Sequence, residues 1–347
     1  MRSRSGRSSA SLVVGSSCCS WDGGGFALAE GKQRNPAATL ALLGLLVLVI
    51  GTVFMTVGVE GRWGFVLALR GQKLAGLVLV GYAIAVSTVL FQTLTQNRIL
   101  TPSIMGFDAL YVLIQTVLAA SLGFVKAGAI DPRLHFAANV ALMVGASMIL
   151  YRWLFRGGGR DLLFLALAGL IFGGLLRSLS SFLQRVLDPS EFAVLQDRLF
   201  ASFNLIDSSL LTVAAVLILG ASIVGWCMRD RFDVLLLGRE TAINLGLDYP
   251  RTVRSILMLI AVLVSVSTAL VGPVTFFGLL VSNLAYRLVG DTRHALMLPA
   301  AALIAIICLV GGQFLLERLF GFNTSLSIVI EFIGGITFIA LLMRNAR

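Results

Sequence analysis

The chain has 347 residues, of which 58% are hydrophobic and only 13% are charged, and its formal net charge is +10. A soluble domain carries about 25% charged residues, so this chain holds more apolar surface than one aqueous core can bury. The composition excludes a soluble enzyme, a disordered protein and a secreted disulfide scaffold. It predicts a polytopic membrane protein made of helices, because the apolar blocks are too long for barrel strands.

The basic excess and the cysteines do not indicate a nucleic-acid or metal site. Excess base can mark nucleic-acid binding, but in membrane proteins Lys and Arg gather in cytoplasmic loops, and we adopt that interpretation. The four cysteines, Cys18, Cys19, Cys227 and Cys308, are not spaced like metal ligands, and the adjacent pair cannot easily close on itself. We predict no nucleic-acid partner, no metal, no cofactor and no disulfide framework.

Residues 1–36 differ in composition from the rest of the chain. They are rich in Ser, Gly and Arg, and their longest apolar run, Leu12–Val14, is too short for the core of a signal peptide. We predict a disordered cytoplasmic tail or an extension from a wrongly chosen start codon, followed by a transmembrane domain at 37–347.

The apolar blocks predict an all-α bundle with about ten spans. A crossing helix needs about 20 apolar residues. Both chain ends are predicted in the cytoplasm, because this orientation places more than twice as many Lys and Arg residues on inner segments as on outer ones. The predicted spans are 38–57, 74–95, 104–124, 134–154, 161–183, 207–228, 251–271, 273–286, 295–316 and 326–343.

The largest inner loop, 229–250, combines charges with apolar residues. Its first part holds Val234–Leu237, and Ala242 and Leu245 are three apart, as in a short amphipathic helix. Gly238 and Gly246 punctuate the loop, which predicts two short helices with a glycine joint. Such a unit either rests on the lipid surface or docks a cytoplasmic partner.

The outer segments carry two patterns. Between 183 and 207, the residues Phe192, Leu195, Leu199 and Phe203 form an apolar stripe, which predicts an interfacial helix. The basic residues Arg70, Lys73 and Arg318 are also outer, against the general bias. They either snorkel at span ends or pair with acidic residues of an extracytoplasmic protein.

The chain shows no energy source of its own. It contains no GxxxxGK[ST] phosphate loop, so it does not bind ATP in that way. Ion-coupled carriers place carboxylates deep in spans, whereas Asp108 is predicted near an inner end and Glu331 in the outer half of the last span. An energy-coupling partner is therefore favoured. The rival hypotheses are an ion-coupled secondary carrier without ATPases and a non-transporting membrane anchor.

The chain contains four ordered motifs: LRGQKLAGLVLVGYAIAVSTVLFQTLTQNRILTPSIMG (69–106), LGRETAINLGL (237–247), VGPVTFFGLLVSNLAYRLVG (271–290), and ERLF with NTSLSIVIEFIGGITFIALLM (317–343). Together they resemble the FecCD-type permease subunits of bacterial ABC importers for iron-siderophores, haem and cobalamin. The resemblance runs from about residue 40 to the C-terminus. Its departures are NRIL at 97–100, where the family has NPLA, Ser282-Asn283 in place of Pro-His, and Gly334-Gly335-Ile336 in place of Gly-Ala-Pro.

The resemblance implies a multi-pass inner-membrane subunit that is not itself an enzyme. Its implied partners are cytoplasmic ATP-binding subunits, a periplasmic binding protein, and a second permease subunit that is either a copy or a paralogue. Segments 99–116 and 188–204 resemble the branch for catecholate or mixed-catecholate siderophores, so the implied substrate is a ferric siderophore.

The resemblance also implies roles for particular residues. Arg70, Lys73 and Arg318 match the outer sites that grip acids of the binding protein. The residues that match the loop contacting the ATPase are Gly238, Glu240, Ala242, Leu245 and Gly246. Arg177 is the one basic residue inside a predicted span. Because a lone charge in a span is costly, we expect it to attract an anionic chelate along the translocation pathway, or else to snorkel outward or pair with an outer carboxylate.

Overall fold

The computed structural model describes residues 36–58, 63–127, 131–154, 162–203, 207–319 and 326–345. The predicted tail lies outside these ranges except for Pro36. Within them, all regular structure is helical. The helices are α1 (Pro36–Thr56), α2 (Trp63–Thr95), α3 (Asp108–Ala127), α4 (Pro132–Leu154), α5 (Leu162–Gln184), α6 (Pro189–Leu199), α7 (Ser208–Cys227), α8 (Arg229–Leu235), α9 (Arg239–Asn244), α10 (Tyr249–Val271), α11 (Phe277–Val289), α12 (His294–Leu319) and α13 (Leu326–Asn345), with a π-helical turn at Ser103–Phe107.

The helices confirm the predicted all-α membrane bundle. Eight described helices are long and apolar enough to cross a membrane, and two shorter apolar helices lie at Phe277–Val289 and Leu326–Thr337. Every predicted span falls on one of these ten. Inner and outer denote the cytoplasmic and opposite sides predicted from the charge bias.

The buried centre is formed by α2, α10 and α12. In the most apolar stretches of α2 and α10, 67% of the residues are buried, whereas in that of α1 only 11% are buried. Helix α2 packs against both α10 and α12, while α3 packs against α5 at the side of this centre. The helices at the periphery of the bundle leave apolar faces exposed. Such faces suit a lipid environment, because lipid tails are as apolar as these side chains and do not drive them into the bundle.

Helix α2 begins earlier than predicted. The sequence places its span at 74–95, whereas the helix starts at Trp63 and has 33 residues. The hydropathy pattern stops at Lys73 because charges are costly in lipid. The structure continues the helix because Arg70 and Lys73 have partners on neighbouring helices.

Helix α11 begins later than predicted. The predicted span starts at Pro273, but Gly272 has φ +99° and its N–H caps α10 through Thr268 O at 2.8 Å. Residues 272–274 have no regular secondary structure, and the helix starts at Phe277. Its 13 residues cover about 20 Å at 1.5 Å per residue, less than the hydrocarbon thickness. The helix by itself is therefore shorter than a full crossing.

Asp108 is buried beside a break in its helix. It directly follows the π-helical turn, whose Gly106 has φ +111° and packs against Gly173, at the middle of α5. A side chain on either glycine would stand 2.9 Å from the other's Cα, so the close approach needs both. The buried Asp108 accepts a hydrogen bond from Thr275 Oγ1 at 3.0 Å. The helix that carries Asp108 is thus broken at Gly106, where it contacts α5.

The predicted outer interfacial helix is present as α6. Leu195 is fully buried and packs with Ala119 of α3, whereas Phe192 remains 37% exposed. The stripe does not continue to Phe203, because α6 ends at Leu199 and Phe200 is extended. There Ser202 N–H donates to Val271 O at 2.9 Å, which joins this segment to the end of α10.

Candidate functional site

The inner loop between α7 and α10 contains the predicted pair of short helices, α8 and α9. Gly238 separates them with φ +94°, and Gly246 follows α9 with φ +84°. Both values lie in the left-handed region, which glycine adopts without the steric cost that a side chain brings. The two glycines therefore define the bends on either side of α9. We call residues 229–247 the elbow.

One face of the elbow is anchored in the bundle and the other is open. Phe232, Leu235 and Ala242 are buried, with at most 4% of their surface exposed. An exposed apolar patch rimmed by charge is typical of a protein-interaction surface. The outward residues that form this patch are Leu236, Leu237, Glu240, Ile243 and Leu245.

The elbow differs from the predicted amphipathic helix in one respect. Ala242 is buried but Leu245 is 62% exposed, although their spacing predicted one shared face. Leu245 is the C-cap of α9 and its N–H still donates to Thr241 O at 3.0 Å, so it stands at the uncovered end of the helix. Ala242 is therefore an anchor, and Glu240 and Leu245 belong to the open patch.

On the outer side, Arg70 and Arg318 close the C-terminal end of α1. Nη1 of Arg70 donates to Phe54 O at 3.0 Å and to Val57 O at 2.8 Å, and Nη2 of Arg318 donates to Val57 O at 2.6 Å. The last carbonyls of a helix lack partners within it and carry the negative end of its dipole. The Arg318 guanidinium also occupies the space beside Gly58 where a side chain would sit.

Lys73 has a different environment from the two arginines. Its side chain is 10% exposed and its ammonium forms an ion pair with Glu317 at 2.7 Å. Gln313 Nε2 donates to the same carboxylate oxygen at 2.9 Å. The sequence prediction of snorkelling or partner contact missed this pairing, because Glu317 is distant in sequence. The three predicted residues do come together, and with Glu317 we call them the outer cluster.

Arg177 lies on α5 beside an open cleft. The cleft is lined by Arg177, Ser178, Ser181, Phe182 and Arg185. Positions 177 and 181 are four apart on α5 and share one face, and Arg185 lies directly after the end of this helix. In the described part of the chain, no carboxylate forms an ion pair with Arg177. The two guanidinium groups and two hydroxyls that line the cleft can donate several hydrogen bonds to an anion.

A family comparison matches nearly the whole membrane domain. A model described as the FecCD transport family matches residues 37–344. The chain belongs to this family.

Individual FecCD relatives agree with this assignment. The petrobactin import system permease protein YclO of Bacillus subtilis (strain 168) is 47% identical over 315 residues, which cover 91% of this chain and 99% of that protein. The ferric enterobactin transport system permease protein FepD of Escherichia coli (strain K12) is 30% identical, covering 80% of each chain. A solved metal-chelate-type ABC transporter in an inward-facing conformation has a TM-score of 0.77 at 22% identity, covering 89% of this chain and 99% of that chain, and shares the fold.

Two residues of this FecCD chain, Arg185 and Asp233, were not predicted from the sequence as parts of a site. Arg185 shares the cleft of Arg177, and the i, i+8 spacing could have indicated it. Asp233 in the elbow contacts His294 at the start of α12, at 2.6 Å between Oδ1 and Nδ1. No local pattern links two residues so far apart, so only the fold could reveal this contact.

Proposed function

We propose that the chain is the permease subunit of an ATP-driven importer that carries a ferric siderophore across the cytoplasmic membrane. Separate ATPase subunits would bind the elbow, and a periplasmic binding protein would deliver the chelate to the outer cluster. The observation that carries the proposal is the open apolar patch of the elbow, in a chain whose 47% identical relative is a named siderophore import permease.

The elbow suits an ATPase partner because its exposed and anchored faces differ. Leu237 and Leu245 are 58% and 62% exposed on a segment that connects two spans, and a partner protein would remove them from water. Phe232 and Ala242 anchor the opposite face in the bundle. A movement of the ATPase would therefore move the elbow, and the elbow would move the spans.

The proposed substrate is a catecholate-type ferric siderophore. The relatives named above import petrobactin and ferric enterobactin. The cleft with Arg177 and Arg185 fits such a chelate, because an anionic complex accepts hydrogen bonds from guanidinium and hydroxyl groups. A second permease subunit, either a copy or a paralogue, would close the pathway on its other side.

The mechanism follows from differential binding. A loaded binding protein docks on the outer cluster, and ATP binding draws the two ATPase subunits together. The elbow contacts the separated and closed ATPase arrangements differently, and only such a difference can shift the bundle between outward- and inward-open states. ATP hydrolysis takes place on the partner chains, and this chain binds, guides and releases the chelate.

Uptake measurements test the proposal directly. A strain is deleted for the gene of this chain and for ATP synthase, and the chain is then supplied again by complementation. The strain is offered 55Fe-labelled ferric petrobactin, ferric enterobactin, ferric citrate and haemin. We expect catecholate uptake that stops on ATP depletion and survives an uncoupler. Uptake with the opposite sensitivity would support an ion-coupled carrier, and no chain-dependent uptake of any compound would leave only a membrane anchor.

Arg70→Glu is expected to weaken docking of the binding protein by about tenfold at low salt. The reason is that the variant places a negative charge where acids of the binding protein approach. The difference should shrink at high salt, because exposed charges are screened within about 8 Å at physiological ionic strength. Titrating the binding protein onto permease in nanodiscs at two salt concentrations measures both effects.

The control for this variant is Arg133→Glu, which makes the same charge change on an exposed residue at the start of α4. It should leave docking within about twofold of the wild type. Arg70→Gln reports separately on the lost hydrogen bonds to α1. Equal weakening at both salt concentrations, or in both reversal variants, would count against a docking role.

Arg177→Ala is expected to raise the apparent KM for an anionic chelate by about tenfold while changing the maximal rate little. The guanidinium acts on a charged substrate in the cleft, so a chelate of lower negative charge should be affected less. Uptake kinetics with chelates of different charge measure this, and Arg133→Ala serves as control. A KM increase that is the same for every chelate would contradict an electrostatic role.

A further inference from the structure

A three-residue contact ties the elbow to two long helices. Asp233 Oδ1 on α8 accepts the backbone N–H of His294 at 2.8 Å and its ring Nδ1–H at 2.6 Å. The opposite ring atom, Nε2, lies 2.8 Å from Thr93 Oγ1 on α2. The His294 side chain is 1% exposed, and the Phe232 ring packs edge-on against it. We call Asp233, His294 and Thr93 the clasp.

The clasp holds in either protonation state of the imidazole. The Thr93 hydroxyl has one proton and can donate it to Val89 O at 2.9 Å or to Nε2 of His294. With a neutral ring, the threonine donates to Nε2; with a protonated ring, Nε2–H donates to the threonine. In both cases Nδ1–H remains bound to Asp233, so the elbow stays attached.

The helices that the clasp joins contact each other at three levels. At the inner end, Thr93 of α2 meets His294 of α12. Midway, Gly81 lets α2 approach α12 so closely that a Cβ there would stand 3.2 Å from Leu309. At the outer end, Lys73 pairs with Glu317. Helices α2 and α12 therefore act as one body, which we call the strut.

The clasp is the directional part of the elbow's attachment. Phe232 and Leu235 hold α8 by apolar contact, which is non-directional. The short hydrogen bonds to the carboxylate are charge-assisted and fix both distance and angle. A push on the elbow's open patch is thus passed through Asp233 to the inner end of the strut.

We propose that Asp233 and His294 are positioning residues that transmit movement of the elbow to the α2–α12 strut, and through it to the outer cluster. This inference rests on the proposed function, because it assigns the route of the coupling that the importer requires. It adds residues that belong neither to the open patch of the elbow nor to the cleft of Arg177.

The first test measures coupling in the complete transporter. The complex is purified with its ATPase subunits and reconstituted in liposomes, and the 55Fe-chelate that the wild type imports is followed together with ATP hydrolysis. For Asp233→Ala we expect hydrolysis within about twofold of the wild type and a tenfold lower ratio of chelate imported to ATP hydrolysed. Asp233→Asn keeps an acceptor oxygen and should restore much of the ratio.

Asp291→Ala is the matched control. Its carboxylate also accepts a backbone N–H near the start of α12, from Arg293 at 3.0 Å, but it is not part of the elbow. It removes the same charge from the same helix end and should leave the coupling ratio unchanged. A ratio unchanged in Asp233→Ala, or lowered equally in Asp291→Ala, would overturn the proposal.

A second test needs no transport. The four native cysteines are replaced by Ala, and spin labels are placed at Leu237→Cys on the elbow and Thr292→Cys just before α12. The interlabel distance distribution should broaden in Asp233→Ala and not in Asp291→Ala. An unbroadened distribution in Asp233→Ala overturns the clasp. If the wild type shows no ATP-dependent uptake, the proposed function fails, and this measurement still decides whether the clasp holds the elbow.

Discussion

A transporter carrying Glu240→Arg is expected to insert normally in the membrane and to lose ATP-driven uptake by about 100-fold or more. Glu240 is exposed in the first turn of α9, next to the Gly238 bend, and belongs to the open patch of the elbow. Reversal of its charge places a cation where the ATPase would dock, and like-charge or unpaired contacts at an interface cost several kcal/mol. Loss of an acid at a helix N-terminus costs only about 1 kcal/mol, too little to unfold the bundle.

The measurement is siderophore uptake together with the amount of ATPase that co-purifies with the permease. Asp291→Arg makes the same charge change on the inner side but outside the elbow, and it should retain uptake and the ATPase. Glu240→Gln removes the charge without reversing it and should lie between the two. Normal uptake in Glu240→Arg would refute a coupling role for this residue.

Gly106→Ala is expected to destabilise the bundle by about 3 kcal/mol, because strain and overpacking add. Gly106 has φ +111°, a conformation that an alanine adopts only with strain. It also packs on Gly173 with no space between the two backbones. An added methyl group would push α5 away from the broken helix that carries Asp108.

Thermal unfolding in detergent measures this effect, and the melting temperature should fall by about 6 °C. Gly174→Ala provides the comparison. It lies beside Gly173 on the same helix, but nothing stands within 4 Å of its added Cβ. Alanine favours a helix more than glycine by up to about 1 kcal/mol, so this control should be neutral or slightly stabilising. Similar losses in both variants would contradict the packing argument.

The elbow was the part of the site most accessible to sequence reasoning. Its glycines mark bends that only glycine adopts easily, and its charges mark a segment outside the lipid. Which side chains are exposed could not be read from the spacing, because Ala242 and Leu245 share the helical spacing but only Ala242 is covered by the bundle. The roles of Glu240 and Leu245 stay predictions that the coupling experiments test.

The outer cluster shows a different limit. Its three basic residues stood out because they oppose the charge bias, and the structure brings them together. Their contacts were not foreseen: Arg70 and Arg318 cap α1, and Lys73 pairs with Glu317. A charge pattern reveals that a residue needs a partner, but not which partner the fold supplies.

The sequence by itself determined the class of the protein, the number of apolar spans and the position of the elbow. These features depend on apolar length, charge bias and glycine placement. Each of these can be read from a segment of about 20 residues. Only the tertiary structure decided where α2 and α11 begin and which residues Asp108 and His294 contact. Those features arise from contacts between segments far apart in the chain, and such contacts form only when the helices are packed together.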